Sequence, residues 1–200
     1  MARLGMVLDL KRCIGCNGCT IACKAENATP HGVFWARVLE WEEGKFPTAH
    51  RVYFPMMCNH CQDPPCLKAC PTKATSQRPD GIVLVDYNKC IGCRACMMAC
   101  PYQARFFRRD SSTYFPGTLT PYESAGYPKF PKGVVTKCTL CAHRLDQGLE
   151  PACVQTCMTK ARIFGDLDDP ESEPRRAMRN RHSFQFRAEM GTNPSVYYIA

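Results

Sequence analysis

Two hundred residues with a formal net charge of +8, 45% hydrophobic content and sixteen cysteines leave room for one domain or two small ones. That density of cysteine narrows the chain to a secreted disulfide scaffold, a set of zinc sites or iron-sulfur clusters. No uncharged apolar run approaches the roughly 20 residues that cross a bilayer, and the first residues carry neither a signal-peptide core nor a twin-arginine pair, so the chain reads as soluble or peripheral through a partner, with no export signal of its own.

In chain order, 6–10 alternates weakly and predicts a short strand leading into Cys13, Cys16, Cys19 and Cys23. The run from Thr20 to Asn27 predicts a short helix, ended by Pro30 and Gly32. Aromatic and β-branched residues on either side of Glu43-Gly44 predict a β-hairpin over 33–54, with Trp35 and Trp41 as packing residues rather than a cofactor platform. The second group is Cys58, Cys61, Cys66 and Cys70. Between it and the third, 74–78, Asp80-Gly81 and 82–86 predict a tight hairpin, because Asp-Gly tolerates the positive φ of such a turn. That ribbon holds groups two and three in one compact unit.

The third group is Cys90-Ile-Gly-Cys93-Arg-Ala-Cys96-Met-Met-Ala-Cys100-Pro101, where Gly92 lets the backbone approach whatever the thiols hold. From 110 to 132 the composition turns to Ser, Thr, Tyr, Pro and Gly without apolar periodicity, which predicts an irregular loop. Its Tyr114, Pro116, Tyr122, Tyr127, Pro128 and Pro131 suit a partner-contact arm, with plain linker as the alternative. The fourth group, Cys138, Cys141, Cys153 and Cys157, is spread by a helical turn between His143 and Gly148. A strand at 161–164, a turn at Gly165, a polar helical segment within 170–181 and a closing strand at 196–199 complete the chain. No cysteine is left over, and the ligand pattern recurs four times.

Three cysteines at two-residue intervals, then a fourth after three more and a proline, make the run that wraps a cubane 4Fe-4S cluster and sends its fourth thiol to a neighbouring cluster. A zinc site wants two separated short pairs around one ion, and the clustering without a signal peptide argues against disulfides. Aromatics, strands and long cysteine-free spans exclude a metallothionein-like chain. His60 and His143 read as hydrogen-bonding neighbours rather than iron ligands, since the thiol set is complete. Proline follows the last cysteine in groups two and three (Pro71, Pro101) but not in one and four. This splits the groups into an inner and an outer pair. Exchanging the fourth ligand within each pair gives set A (Cys13, Cys16, Cys19, Cys157), set B (Cys138, Cys141, Cys153, Cys23), set C (Cys58, Cys61, Cys66, Cys100) and set D (Cys90, Cys93, Cys96, Cys70), four 4Fe-4S clusters in all.

The expected fold is α+β, two nested bacterial-ferredoxin-like dicluster units with short helices and β-hairpins: an outer unit from 1–57 and 133–200, an inner unit from 58–109, and the loop 110–132. Four clusters of about −2 charge each offset the basic excess, so nucleic acid is not an expected partner. Lys11, Arg12, Lys24, Lys68, Lys73, Lys89, Arg94, Lys137, Lys160 and Arg162 lie near cysteines, where cations favour thiolate. No dinucleotide loop, triad or general-base pair is visible, so no catalytic residue is expected. A compact chain of this length is roughly 40 Å across, which brings four clusters within hopping distance of one another.

The order and spacing of the groups, the Cys58-Asn-His-Cys61 opening of the second and Gly165-Asp-Leu-Asp-Asp-Pro170 after the fourth resemble the four-cluster electron-transfer subunit of the DMSO reductase family of molybdoenzymes. The resemblance covers nearly the whole chain; Arg3-Leu-Gly-Met-Val-Leu-Asp-Leu10 and 138–170 look most like the arsenate reductase small subunit, with much shared by the sulfur-compound enzymes. It implies a molybdopterin-containing catalytic subunit as partner, and beyond it an integral membrane quinol-binding subunit or a soluble carrier. Some relatives replace a cysteine of the third group by tryptophan and hold a 3Fe-4S cluster; Cys93 stands in place, which implies four 4Fe-4S clusters. It further implies a position peripheral to the cytoplasmic membrane, on the periplasmic side by co-export with the catalytic subunit or on the cytoplasmic side. A free-standing polyferredoxin carrier and a zinc-bearing binding module are the alternative readings.

Overall fold

The computed structural model describes residues 2–109 and 113–200. Its first strand, β1 (Leu4–Asp9), is apolar on both faces: Met6 and Leu8 enter the main core, Val7 a second, smaller one. The chain continues through α1 (Gly18–Asn27), β2 (Arg37–Glu43), β3 (His50–Met56), α2 (Pro65–Lys68), β4 (Thr75–Gln77), β5 (Val83–Val85), α3 (Ala95–Met98) and β6 (Phe106–Phe107). It then forms α4 (Pro121–Gly126), β7 (Val135–Thr136), α5 (Ala142–Leu145), α6 (Ala152–Gln155), β8 (Arg162–Asp166), α7 (Glu173–Met178), β9 (Ser183–Phe184) and β10 (Val196–Ile199). The architecture is α+β, with most helices only one turn long.

A four-stranded sheet in the order β8-β1-β10-β9 ties the beginning of the chain to its last forty residues. There β1 runs parallel to β10, with Met6 opposite Val196, and antiparallel to β8, with Met6 opposite Phe164. A central strand flanked by hydrogen-bonded neighbours on both edges accounts for an apolar run with no polar face. Near the sheet α1 packs on α6, so the first and last cysteine groups meet; α2 packs on α3, so the second and third meet. The β4–β5 ribbon forms where Asp-Gly predicts it, with Ser76 opposite Leu84 and Gly81 at φ +85°.

Three segments depart from the sequence expectation; the shortest is Gly165, expected as a turn, which pairs with Gly5 inside β8 because that strand continues to Asp166. The hairpin begins later and ends later than 33–54, because 33–36 holds Val33, Trp35 and Ala36 in the main core instead of a ladder. Trp35 packs edge-on against Phe130, 5.7 Å between centroids, and its indole N–H donates to Thr136 Oγ1, whereas Trp41 lies in the hairpin against Phe54. The stretch 110–132, expected to be irregular, contains α4; positions 110–112 lie outside the described residues. Thr120 and Glu123 close a reciprocal capping box at its first turn, and Tyr127 and Phe130 beyond it are buried. The tyrosines offered for partner contact divide: Tyr114 and Tyr122 remain accessible, while Tyr127 is interior.

Candidate iron-sulfur sites

None of the sixteen cysteines is in a disulfide. Cys58, Cys61, Cys66 and Cys100 line one small cavity. Cys70, Cys90, Cys93 and Cys96 line a second and Cys23, Cys138, Cys141 and Cys153 a third. These match sets C, D and B. In set A, Cys19 and Cys157 both lie within electrostatic reach of Cys13, and Cys16 stands exposed on the loop between Cys13 and Cys19. Among the described residues no three Cys, His, Asp or Glu side chains converge on a point that suits one ion. Rings of four soft thiol donors around a cavity, with no carboxylate in the lining, suit a cluster.

The loops are built alike where the spacing is alike. Groups one and three follow the same backbone path: Gly15 and Gly92 sit at φ +69° and +68°, Asn17 and Arg94 at +56° and +62°. A Cβ on Gly92 would collide with the Gly133 carbonyl oxygen, so this glycine is fixed by the neighbouring β7 approach as well as by its turn. Upstream of set A, the buried Asp9 carboxylate accepts the Lys11 and Arg12 N–H groups and pairs with Arg181, which anchors the entry to Cys13.

Polar donors reach the sulfurs from several elements. Arg105 Nη2 donates to Cys66 Sγ at 2.9 Å, Asn27 Nδ2 to Cys23 at 3.7 Å and Cys141 at 3.9 Å, the Leu140 N–H to Cys138 at 3.4 Å and the Val135 N–H to Cys90 at 3.5 Å. Burial pushes the Cys23 and Cys61 thiols up to about 12 and Cys138 well above the ordinary thiol range. Cys70 and Cys157 go the other way: burial opposes it, but the Thr75 and Ala74 N–H groups with the Thr72 hydroxyl, and the Thr159 hydroxyl with the Arg162 and Ala161 N–H groups, hold them below it. Hydrogen bonds to the anionic form explain that reversal.

The sets adjoin one another. Arg162 acts on Cys19 and Cys157 of set A and on Cys153 of set B; Cys138 and Cys58 act on each other; Arg105 lines the cavities of both set C and set D. The two histidines beside the thiols differ in fate. His60 is buried, its Nδ1 accepting the Val83 N–H at 3.0 Å, and burial with the Lys137 and Arg105 cations nearby holds its pKa well below the usual imidazole value. His143 instead pairs with Glu26 at 2.7 Å on the surface. Of the ten cations named near cysteines, Lys137 and Arg162 are buried, while the others lie at or near the surface. Arg105, absent from that group, stands five residues after Cys100 as Arg162 stands five after Cys157; that shared offset was its signal.

A family profile described as a 4Fe-4S dicluster domain matches residues 49–116 and 117–167, and a second of the same description matches 12–74. The arsenate respiratory reductase iron-sulfur subunit of a Shewanella species is 41% identical, with 98% of this chain and 96% of that one aligned. A tetrathionate reductase subunit of Salmonella typhimurium is 41% identical over 98% of this chain and 72% of its own length. A sulfite dehydrogenase subunit of Allochromatium vinosum is 38% identical over 100% of this chain and 83% of its own. No described helix is long and apolar enough to cross a membrane.

Proposed function

The chain belongs to the 4Fe-4S dicluster family of molybdoenzyme iron-sulfur subunits, and from that premise we infer that it relays electrons between a molybdopterin catalytic subunit and a second redox partner. It is the non-catalytic member of that complex. A 4Fe-4S cluster, when bound, supplies a one-electron couple. The chain's sixteen cysteines would hold four such groups, with N–H donors and cations directed at the sulfurs.

The adjoining thiol sets carry this reading: three cavities each ringed by four cysteines, with the remaining set beside them. The assignment is Cys13, Cys16, Cys19 and Cys157 for A; Cys138, Cys141, Cys153 and Cys23 for B; Cys58, Cys61, Cys66 and Cys100 for C; and Cys90, Cys93, Cys96 and Cys70 for D, in the row A-B-C-D. Nesting of an inner unit (58–109) within an outer one (1–57 and 133–200) is supported by α1 on α6, α2 on α3, and the pairing of β1 with β8 and β10. Relatives named as reductases and one named as a dehydrogenase favour a relay whose direction is set by its partners. The second partner is a membrane quinol-binding subunit or a soluble carrier, and the chain is peripheral to the cytoplasmic membrane within the complex.

Purification at native abundance tests this. The expected result is a brown chain with about sixteen irons and as many acid-labile sulfides, sizing with a large molybdenum-containing partner; a free-standing chain of the same colour would instead be a carrier. In the complex, Cys93→Ala should remove or convert the cluster of set D and slow quinol-coupled turnover while activity with an artificial dye donor persists. An unchanged EPR spectrum in that variant overturns the assignment of Cys93.

A further inference from the structure

Three buried cations stand in the gaps between the thiol sets. Arg162, 3% exposed, faces Cys19 and Cys157 of set A and Cys153 of set B. Its Nη1 donates to Met57 Sδ at 3.3 Å, Met6 Sδ at 3.7 Å and Cys153 Sγ at 3.9 Å, and the guanidinium also interacts with Cys19. Lys137, 1% exposed, donates to the Val83 and Cys138 carbonyls and acts on Cys138 of set B and Cys66 of set C. Arg105, 4% exposed, donates to Cys66 Sγ of set C and Thr75 Oγ1, and faces Cys58 of set C and Cys96 of set D. The fourth buried cation, Arg108, lies elsewhere, donating to the Tyr127 carbonyl beneath α4.

Among the described residues, none of the three forms an ion pair with a carboxylate. A guanidinium cannot shed its proton to escape burial, and a buried charge without a counterion is strongly unfavourable. For the two arginines the countercharge therefore has to come from what the thiols hold; an anion of about −2 on either side of each cation supplies it there and beside Lys137. Each cation acts on thiols of two adjacent sets.

We propose that Arg162, Lys137 and Arg105 are positioning residues that set reduction potentials in overlapping neighbour pairs: Arg162 for A and B, Lys137 for B and C, Arg105 for C and D. The proposal rests on the four-cluster reading. One-electron reduction adds a negative charge beside a fixed positive one, so both neighbours of a cation become easier to reduce. Because the gain is shared, it moves both neighbours in the same direction and leaves the step between them unaltered. A cation near only one cluster would deepen that cluster and create a trap.

The test is EPR-monitored potentiometric titration of the purified complex carrying Arg162→Gln, Lys137→Met or Arg105→Gln, alongside the charge-keeping Arg162→Lys and Arg105→Lys. Iron and sulfide in the unaltered complex are measured first; fewer than four clusters there overturns the underlying reading, separately from the proposal. Each neutral variant should make its two flanking clusters about tenfold harder to reduce, about 59 mV for a one-electron couple, with the other two unmoved and the Lys variants close to the parent. Four clusters shifting together, one shifting alone, or Lys and Gln variants behaving alike overturns it. If a Gln variant fails to load iron, the Lys variant carries the test: loading with parental potentials supports the proposal, and loading with shifted flanking potentials overturns it.

Discussion

In the proposed row A-B-C-D, the two end sets and the two middle sets differ in exposure. Sets A and D are near copies: in each, the first and fourth cysteines are half-buried, the second is exposed and the third is buried. Both carry an exposed isoleucine and methionine beside the loop, Ile14 and Met158 at one end, Ile91 and Met98 at the other. Set B buries all four thiols, and set C buries Cys61 and Cys66. An electron leaves through an edge where a partner can come close, whereas inner steps pass through a medium where fixed charges act strongly. The loop spacing follows: the tight repeat serves where a group meets the surface, and the widened loops serve where it is enclosed.

Removing a ligand should separate the two regions most sharply. Cys138, Cys153, Cys19 and Cys23 belong to the main apolar core, so Cys138→Ser deletes a core contact together with a ligand. Metal ligation contributes folding free energy of the order of 10 kcal/mol in small metallo-domains, and Cys138→Ser should leave little folded holoprotein. Cys93→Ser, at an exposed position, should leave the fold and three clusters. Iron content and a urea midpoint for each variant check the contrast; equal loss in both would remove the distinction between end and middle.

A smaller effect sharpens the same comparison at one end. Gly92→Ala places a Cβ into the Gly133 carbonyl at φ +68°, which should cost about 1–3 kcal/mol and weaken set D alone. Gly133→Ala meets nothing within 4 Å and carries only the φ +79° penalty, about 1 kcal/mol. In a timed chelator challenge, Gly92→Ala should lose the set D signal first and Gly133→Ala should lag behind it. Early loss from set B or C would contradict a local role.

The thiol groups were legible because ligand spacing is a local property: one short loop must wrap one corner of a cube, and its residues are adjacent in sequence. Asp80-Gly81 was legible for the same reason. The central sheet was not, since nothing in 4–9 announces a parallel partner at 196–199. The segment after Asp110 lacked apolar period, yet Thr120-Pro-Tyr-Glu123 is a capping-box signature, and its buried rings pack on residues far away in sequence, Phe130 against Trp35 and Tyr87. Arg105 stands after Cys100 at the same offset at which Arg162, named among the cations near cysteines, follows Cys157, so its signal was present in the sequence and unused.

That segment helps to seal the middle, and acid should open it. Tyr122 donates to the Lys24 and Ala25 carbonyls at the end of α1, and the Tyr127 hydroxyl accepts the His31 N–H. Both sit beside the helix that carries Cys23 and Asn27. The buried Glu123 carboxylate holds the segment together, accepting the Thr120 N–H at 2.9 Å, the Tyr114 N–H at 2.9 Å, the Thr120 hydroxyl at 2.8 Å and the Tyr127 hydroxyl at 3.1 Å. These donors, the Thr120 N–H foremost, pull its pKa down to about 2. A carboxylate depressed in the folded state stabilises it fully above the ordinary glutamate value of about 4.3 and loses that contribution as pH falls toward the depressed one. Amide protection at Tyr114 and Thr120 should therefore fall between about pH 4 and pH 2, with visible absorbance reporting whether the clusters survive. Glu123→Gln should lower protection at neutral pH and flatten the pH dependence. Protection that falls equally at the set D loop, or that persists unchanged to pH 2, would show that the seal does not depend on this carboxylate.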